Sequence, residues 1–314
     1  MSNVHYIDRT TGQRVTESVM GDGALKFAYE TLLGRTLWPV LFGSKLVSAL
    51  MGRYYDSPKS KKAIRLLASI PGCLVDEAEK PVEAYGSFNE FFTRHLKPGA
   101  RPVGEGLVSP ADGRLMLYLN ADAETPFPLK GAVRTLREVF SPVPRCVSPA
   151  ALTQKGSASL ETPRARRTAV RSGAYDIAVI RLAPVDYHRF HFPCDCTVEG
   201  EAQVIPGKYH SVNPIALVKY PDVYADNERQ IVKAKAAFGD FWLVDVGAFG
   251  VGTIVQTYSG AEQKKGTEKG YFKFGGSTVI FIAPAGAVRF DADLVANSAA
   301  GLETRVRCGE RIAI

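Results

Sequence analysis

From Gly113 to the C-terminus, glycine and proline cut the chain into short β-rich runs, and that punctuation restricts what it can fold into. The runs are "GRLMLYLN", "DIAVIRLAPV", "CTVEGEAQVI", "FWLVDVGAFGVGTIVQTY", "STVIFIAP" and "AVRFDADLVA". Each is rich in β-branched and aromatic residues and is read as strand. Helix-like spacing of apolar residues is confined to the part before Arg101. Helices first and strands later mean an α+β fold with a largely antiparallel β core, not an alternating βα one. The expected division is an N-terminal helical region, residues 1–100, and a β-rich domain, residues 101–314. No internal repeat stands out.

The N-terminal region reads as helical from Ala24 to Ile70, broken or kinked at Pro39. In "SPKSKKAIRLLASI", Ser57 is the expected N-cap and Pro58 the first helical residue. From Ala24 to Arg65 eight Lys or Arg face only Glu30 and Asp56. Lys59, Lys61, Lys62 and Arg65 crowd a helix start, where they oppose the helix dipole. An apolar face beside such a cluster suits a helix lying on an anionic membrane, and equally a solvated helix packed on the domain. Further on, Ser87 and Glu90 form a capping box, so a short helix should start at Phe88 and finish by Pro98-Gly99. Phe88, Phe91 and Phe92 are expected core contacts.

The formal net charge is +7, which favours nucleic acid, anionic lipid or an acidic substrate without choosing among them. "MSNVHYIDRTTGQRV" has no apolar core of a secretory leader, and "TLWPVLFGS" is far too short for a span. Five cysteines, an odd number, do not make a disulfide scaffold, so a reducing compartment is expected. Cys194-x-Cys196 has no second thiol pair to complete a zinc site. Pro142 to Gly173 has six basic residues, one acid (Glu161) and no periodicity, and is expected to be a disordered loop.

Few residues are candidates for chemistry. Asp112 in "SPADGRL" fits an ordinary Asp-Gly turn before a strand. "APVDYHRFHFP" carries His188 and His191 with Asp186 nearby. Pro184 and Pro193 argue for a turn, and an acid/base pair suits the two imidazoles better than a metal without a third ligand. His210 and Ser211 of "GKYHSVNPIAL" lie by a turn at Pro214. "VGAFGVG" opens no helix and is not a phosphate loop. Gly275-Gly276-Ser277-Thr278 breaks the strand "FGGSTVIFI", and glycine there marks a bulge or a close backbone approach. Asp112, His191 and Ser277 have the residue types of a triad, but there is no G-x-S-x-G elbow and Ser277 enters a strand.

Taken together these pieces are specific. "IDRTTGQRV", "LLGRTLWPVLF", "DSPKSKKAI", "SFNEFFTRHLKPGARPV", "SPADGRL", "LKGAVRTLREVF", "DYHRFHFP", "GKYHSVNP", "VGAFGVGTI" and "KGYFKFGGSTVIFI" run in order along nearly the whole chain. The chain resembles phosphatidylserine decarboxylase proenzymes, the pyruvoyl-dependent family. It departs from many bacterial members in having Gly275-Gly276 where they have Leu-Gly, and in its longer, more basic 142–173 segment. The resemblance implies self-cleavage between Gly276 and Ser277, with Ser277 attacking the Gly276 carbonyl and His191, held by Asp112, as base. It implies that Ser277 becomes a covalent pyruvoyl group, the cofactor, on which phosphatidylserine forms a Schiff base and loses CO₂. His188 matches the position that protonates the resulting carbon. It further implies that the large and small chains stay associated, that two copies form a homodimer, and that the partners are phosphatidylserine and an anionic membrane, not nucleic acid or a metal. A peripheral place on the cytoplasmic side of the cell membrane is expected. The rival expectations are a serine hydrolase, a lipid-binding β-domain without activity, and a small pyruvoyl amino-acid decarboxylase acting on soluble amines.

Overall fold

The computed structural model describes residues 5–17, 45–122, 127–129, 132–140, 173–207, 227–247, 254–274 and 277–314. Five α-helices lie among them: α1 (Lys45–Tyr55), α2 (Lys61–Ala68), α3 (Phe88–Phe92), α4 (Leu136–Phe140) and α5 (Ala292–Ala299). The strands up to the middle of the chain are β1 (His5–Asp8), β2 (Arg14–Thr16), β3 (Leu107–Val108), β4 (Gly113–Ala121), β5 (Phe127–Leu129), β6 (Ala132–Arg134), β7 (Tyr175–Leu182), β8 (Arg189–His191) and β9 (Cys196–Val198). The rest are β10 (Gln203–Ile205), β11 (Arg229–Ala236), β12 (Gly239–Val246), β13 (Ile254–Gln256), β14 (Glu262–Gln263), β15 (Glu268–Phe272), β16 (Ser277–Pro284), β17 (Glu303–Val306) and β18 (Arg311–Ala313).

The main sheet runs β14-β9-β11-β12-β16-β7-β4-β17-β1-β2, with β10 also on β11. Its pairings are antiparallel except β1 with β17. The mixed class with a largely antiparallel sheet is therefore as expected. A second sheet, β13-β15-β8, carries the histidine segment.

Side chains of a strand alternate between faces, and the central strands use both. Val279, Phe281 and Ala283 of β16 enter one core with Ala178, Ile180 and Leu182 of β7. Ile280 and Ile282 enter another with Tyr175, Ile177 and Val179. This explains why "STVIFI" reads as a continuous apolar run. Gly113 opens β4 where a Cβ would sit 2.7 Å from both the Arg181 carbonyl oxygen and Ile180. Close approach of two strands, rather than a turn, requires that glycine.

The helices α2 and α3 form a third cluster around Ile64, Leu67, Phe88, Phe91 and Phe92. It packs onto Ala183, Val185 and Phe274, at the ends of β7 and β15. The phenylalanines are core contacts, as expected.

Several local expectations change. "AVRFDADLVA" is not a strand. Phe290 makes a single bridge to Ala313, and Asp291 then starts α5 in an extended N-cap conformation. Asp293 in the first turn complements the dipole there, and Leu294 is the buried anchor. Pro58 begins a short 3₁₀ turn, Pro58–Ser60, ahead of α2, and the Ser57 hydroxyl donates back to the Tyr54 carbonyl instead of capping. The Ser87 hydroxyl accepts from Glu90 N–H at 3.2 Å, while the Glu90 carboxylate reaches Gly86 N–H at 2.6 Å, one residue before its expected partner. "CTVEGEAQVI" is two strands, β9 and β10. Residues 5–16 of the N-terminal region are a hairpin on the edge of the main sheet, not helix.

Ala24–Ser44 and the 142–173 loop, apart from Gly173, lie outside the described residues. So do His210, Ser211 and the centre of "VGAFGVG". No helix among the described residues is long and apolar enough to cross a membrane.

Candidate active site

Sheet register brings the site together. Ser277 is the first residue of β16 and pairs with Leu182, the last residue of β7. The chain turns immediately after Leu182, through Ala183, Pro184, Val185 and Asp186, with Asp186 N–H bonded to the Ala183 carbonyl at 2.9 Å. That turn delivers His188 back to the start of β16. The glycine pair therefore does not lie within one strand. It joins β15 of the small sheet to β16 of the large one, and Gly275 and Gly276 themselves lie outside the described residues.

His188 and Ser277 are both fully buried. His188 Nδ1 lies 3.1 Å from Ser277 Oγ, and Nε2 lies 3.0 Å from the Ala183 carbonyl oxygen. A carbonyl only accepts, so Nε2 carries the ring hydrogen. In the neutral ring Nδ1 is then the acceptor, and the Ser277 hydroxyl donates to it. Phe92 of α3 stacks on the imidazole, centroid to centroid 3.9 Å. It fixes the ring plane and closes that face to water.

Asp186 lies behind this pair. Its Oδ2 accepts from Ala183 N–H at 2.6 Å and from Arg114 of β4. Burial pushes its carboxyl up, but the Arg114 charge and the hydrogen bonds from Arg114 and Ala183 outweigh this and hold it below the usual carboxylate range. Arg114 also ion-pairs through Nε with Glu17 at 3.2 Å. Glu17 bridges in turn to Arg181, which forks onto Glu303.

His191 and Asp112 are engaged elsewhere. His191 Nδ1 donates to the Gly266 carbonyl at 3.0 Å, and Nε2 accepts from the Tyr187 hydroxyl at 3.2 Å. Burial pushes its pKa below the ordinary 6.5, against the Gly266 bond and the charges of Glu268 and Asp112. Asp112 takes a fork from Arg101, Nε to Oδ1 at 2.8 Å and Nη2 to Oδ2 at 2.5 Å, and Cys308 N–H at 2.8 Å. The expected chain from Asp112 through His191 to Ser277 is not among these contacts. The imidazole at Ser277 is that of His188.

The segment leading to the glycines is anchored from the helical side. Asn89 of α3 accepts from Phe274 N–H at 3.0 Å and donates to Asp56 at 2.9 Å. Lys273 pairs with Asp56 at 3.0 Å. The Phe274 ring packs against Tyr55, Phe88 and Phe92.

Sequence reasoning named His188, His191, Asp112 and Ser277, and noted Asp186 only as a neighbour. It missed Arg114, Glu17, Asn89 and the stacking of Phe92. The one available signal for Asn89 was its place in the "SFNEFF" block. Nothing local marks Glu17, because it reaches the site only when the N-terminal hairpin folds onto the sheet. No group of three or more His, Cys, Asp or Glu gathers as for a metal among the described residues.

Comparison with known proteins bears on this geometry. The family model for phosphatidylserine decarboxylase matches residues 88–314. A phosphatidylserine decarboxylase proenzyme of Fusobacterium nucleatum is 37% identical, with 98% of this chain and 96% of the relative covered. Those of Ruminiclostridium cellulolyticum and Chlamydia felis are 38% and 36% identical, covering 98% and 99% of this chain and 97% and 98% of theirs.

Proposed function

The chain belongs to the phosphatidylserine decarboxylase family and is a decarboxylase; from that premise we propose that it cuts itself between Gly276 and Ser277 and then removes CO₂ from phosphatidylserine, leaving phosphatidylethanolamine. The observation that carries the proposal is the hydrogen bond from the Ser277 hydroxyl to His188 Nδ1, in a closed site with Nε2 pinned on a carbonyl.

His188 takes the Ser277 proton as the oxygen attacks the Gly276 carbonyl carbon. The Gly276–Ser277 C–N bond breaks, the nitrogen receives the proton, and an ester forms. Elimination then removes the Ser277 Cα proton to solvent, forms a Cα=Cβ double bond as the Cβ–O bond breaks, and releases residues 1–276 with a free carboxylate. The enamine left at residue 277 takes up water and loses ammonia, which leaves a ketone. Glycine at 276 adds no side chain to obstruct the attack.

The fit to a pyruvoyl group rests on the same observation, since the first atom that must be activated is the Ser277 oxygen, and its proton acceptor is 3.1 Å away. A pyruvoyl group supplies an electron sink for the pair left behind when CO₂ departs, as pyridoxal phosphate does elsewhere. His188 remains beside that position and is the group placed to return a proton there. Phe92 excludes water from one face of its ring. His191, neutral and held by Tyr187 and Gly266, is proposed as a second imidazole of the same segment, with Asp112 acting on it through charge alone.

The membrane role is proposed for the helical face. Leu50, Tyr54 and Leu66 are exposed apolar side chains on α1 and α2, beside Arg53, Lys59, Lys61, Lys62 and Arg65. Apolar anchors among basic residues suit an anionic bilayer surface.

Incubation with phosphatidylserine vesicles tests the function. The wild-type protein should form phosphatidylethanolamine and CO₂, and Ser277→Ala should form neither. Turnover by an uncut chain, or a cut chain that leaves phosphatidylserine unchanged, would overturn the proposal.

A further inference from the structure

We infer that helix α1 and the segment leading to Ser277 form one mechanical unit, so that contact of α1 with an anionic bilayer tightens the hold on Phe274, three residues before Ser277. The inference rests on the proposed membrane role of α1 and α2 and adds what that contact does inside the protein.

The outer side of the unit fits a charged apolar surface. Leu50, Tyr54 and Leu66 are exposed. Arg53, Lys59, Lys61, Lys62 and Arg65 are exposed along the same stretch, and Asp56 is its one acid. An anionic bilayer matches both features at once, with acidic headgroups for the cations and an apolar layer for the large side chains.

The inner side reaches the cleavage junction through Tyr55 and Asp56, the last residue of α1 and the next one. The Tyr55 ring packs on the Phe274 ring with centroids 4.7 Å apart. Asp56 N–H stays on the helix, bonded to the Gly52 carbonyl at 2.9 Å. Its carboxylate accepts from Lys273 Nζ at 3.0 Å and from Asn89 Nδ2 at 2.9 Å. Asn89 Oδ1 accepts in turn from Phe274 N–H at 3.0 Å. Two consecutive residues at the end of α1 therefore hold two consecutive residues of the junction, by a ring contact and by charge. A shift of α1 moves both contacts together.

The bilayer changes the strength of this link. In water the Asp56–Lys273 pair is partly exposed, Asp56 by 46% and Lys273 by 29%, and such pairs contribute little. Contact with the bilayer removes water around them, and the same charges then attract more strongly. An unpaired Asp56 is also repelled by acidic headgroups, whereas the paired one is neutralised. A ligand shifts an equilibrium only by favouring one state. Here the favoured state is the one with Asp56 paired, and Asn89 passes that preference to Phe274 N–H.

The test uses protein that cannot cut itself, so it does not depend on the proposed chemistry. Ser277→Ala protein is mixed with vesicles of phosphatidylglycerol and phosphatidylcholine, or of phosphatidylcholine alone. Co-sedimentation reads binding, and hydrogen–deuterium exchange reads the Phe274 amide. The expected result is binding to the acidic vesicles, with exchange at Phe274 slowed about 5-fold, the size one surface ion pair supplies. Adding Asp56→Asn or Lys273→Gln should leave binding in place and abolish the vesicle-dependent slowing. A merely structural pair would change Tm with and without vesicles alike and would keep that slowing. Slowing that persists in both variants is shielding by the vesicle and would overturn the inference. Faster exchange on binding, with Lys273 leaving Asp56 for the lipid, would overturn it as well. Binding with no change at Phe274 would overturn the coupling alone, whereas failure to bind acidic vesicles would overturn the membrane role together with it.

Discussion

His188 has one nitrogen on a carbonyl and the other on a hydroxyl. Replacing it with Gln keeps polarity and removes the titratable acceptor. Self-cleavage of His188→Gln should fall by about 10²–10⁴, the usual worth of a positioned acid/base group, and a denaturing gel should show mainly the uncut chain. His191 supplies a stability signal. Its folded pKa lies below the ordinary 6.5, so below that value the unfolded chain takes up a proton that the folded chain resists. The His191 contribution is thus present above pH 6.5 and is lost as pH falls through the folded value. The Tm of Ser277→Ala protein should decline from pH 7 to pH 5, and adding His191→Gln should flatten that decline. At this scale the candidates were legible because His, Asp and Ser carry chemistry by type. Their pairing was not. The turn at Ala183–Asp186 puts His188 rather than His191 on Ser277, and that depends on β7 and β16 being in register.

α3 shows how an element far from the reactive atoms reaches them. Five residues long, it stacks Phe92 on His188 and holds Phe274 N–H through Asn89. Asn89→Ala would leave the part-buried Phe274 N–H without its acceptor and take from the Asp56 carboxylate one of its donors. The loss is about 1–3 kcal/mol if the site does not rewet. The expected result is slower self-cleavage, read by gel in a time course, and a lower Tm. An unchanged cleavage rate would mean that Phe274 needs no tether. The strands β4, β7, β12 and β16 were legible because their β-branched residues and glycine or proline boundaries agree, whereas β8, β11 and β15 were not read as strands. α5 was not, because "AVRFDADLVA" keeps alternating polarity into the helix. What decides there is Asp291, which is both the N-cap and a partner of Arg9 at 2.8 Å. A residue nearly three hundred positions away carries no local signal.

Across the whole molecule, the cleavage site separates residues that the sheet interleaves. The fragment from Ser277 to Ile314 supplies β16 between β12 and β7, β17 between β4 and β1, and β18 on β3. Arg9 of the N-terminal hairpin pairs with Asp291, Asp293 and Glu310 of the same fragment. Gel filtration in native buffer should therefore keep both fragments in one peak, and only denaturant should part them. Separation without unfolding would contradict this topology. The α+β class was legible from the order of helical and strand patterns. The N-terminal hairpin was not, because β1 is four residues long and gains its place by pairing with a strand at the far end of the chain.

The central claim is that Ser277 is where this chain cuts itself. Intact mass of the purified protein under denaturing conditions tests it most directly. The account predicts two chains, residues 1–276 and a remainder whose first residue is a pyruvoyl group without a free amine. A single chain at 34.1 kDa, unchanged after prolonged incubation, would contradict it.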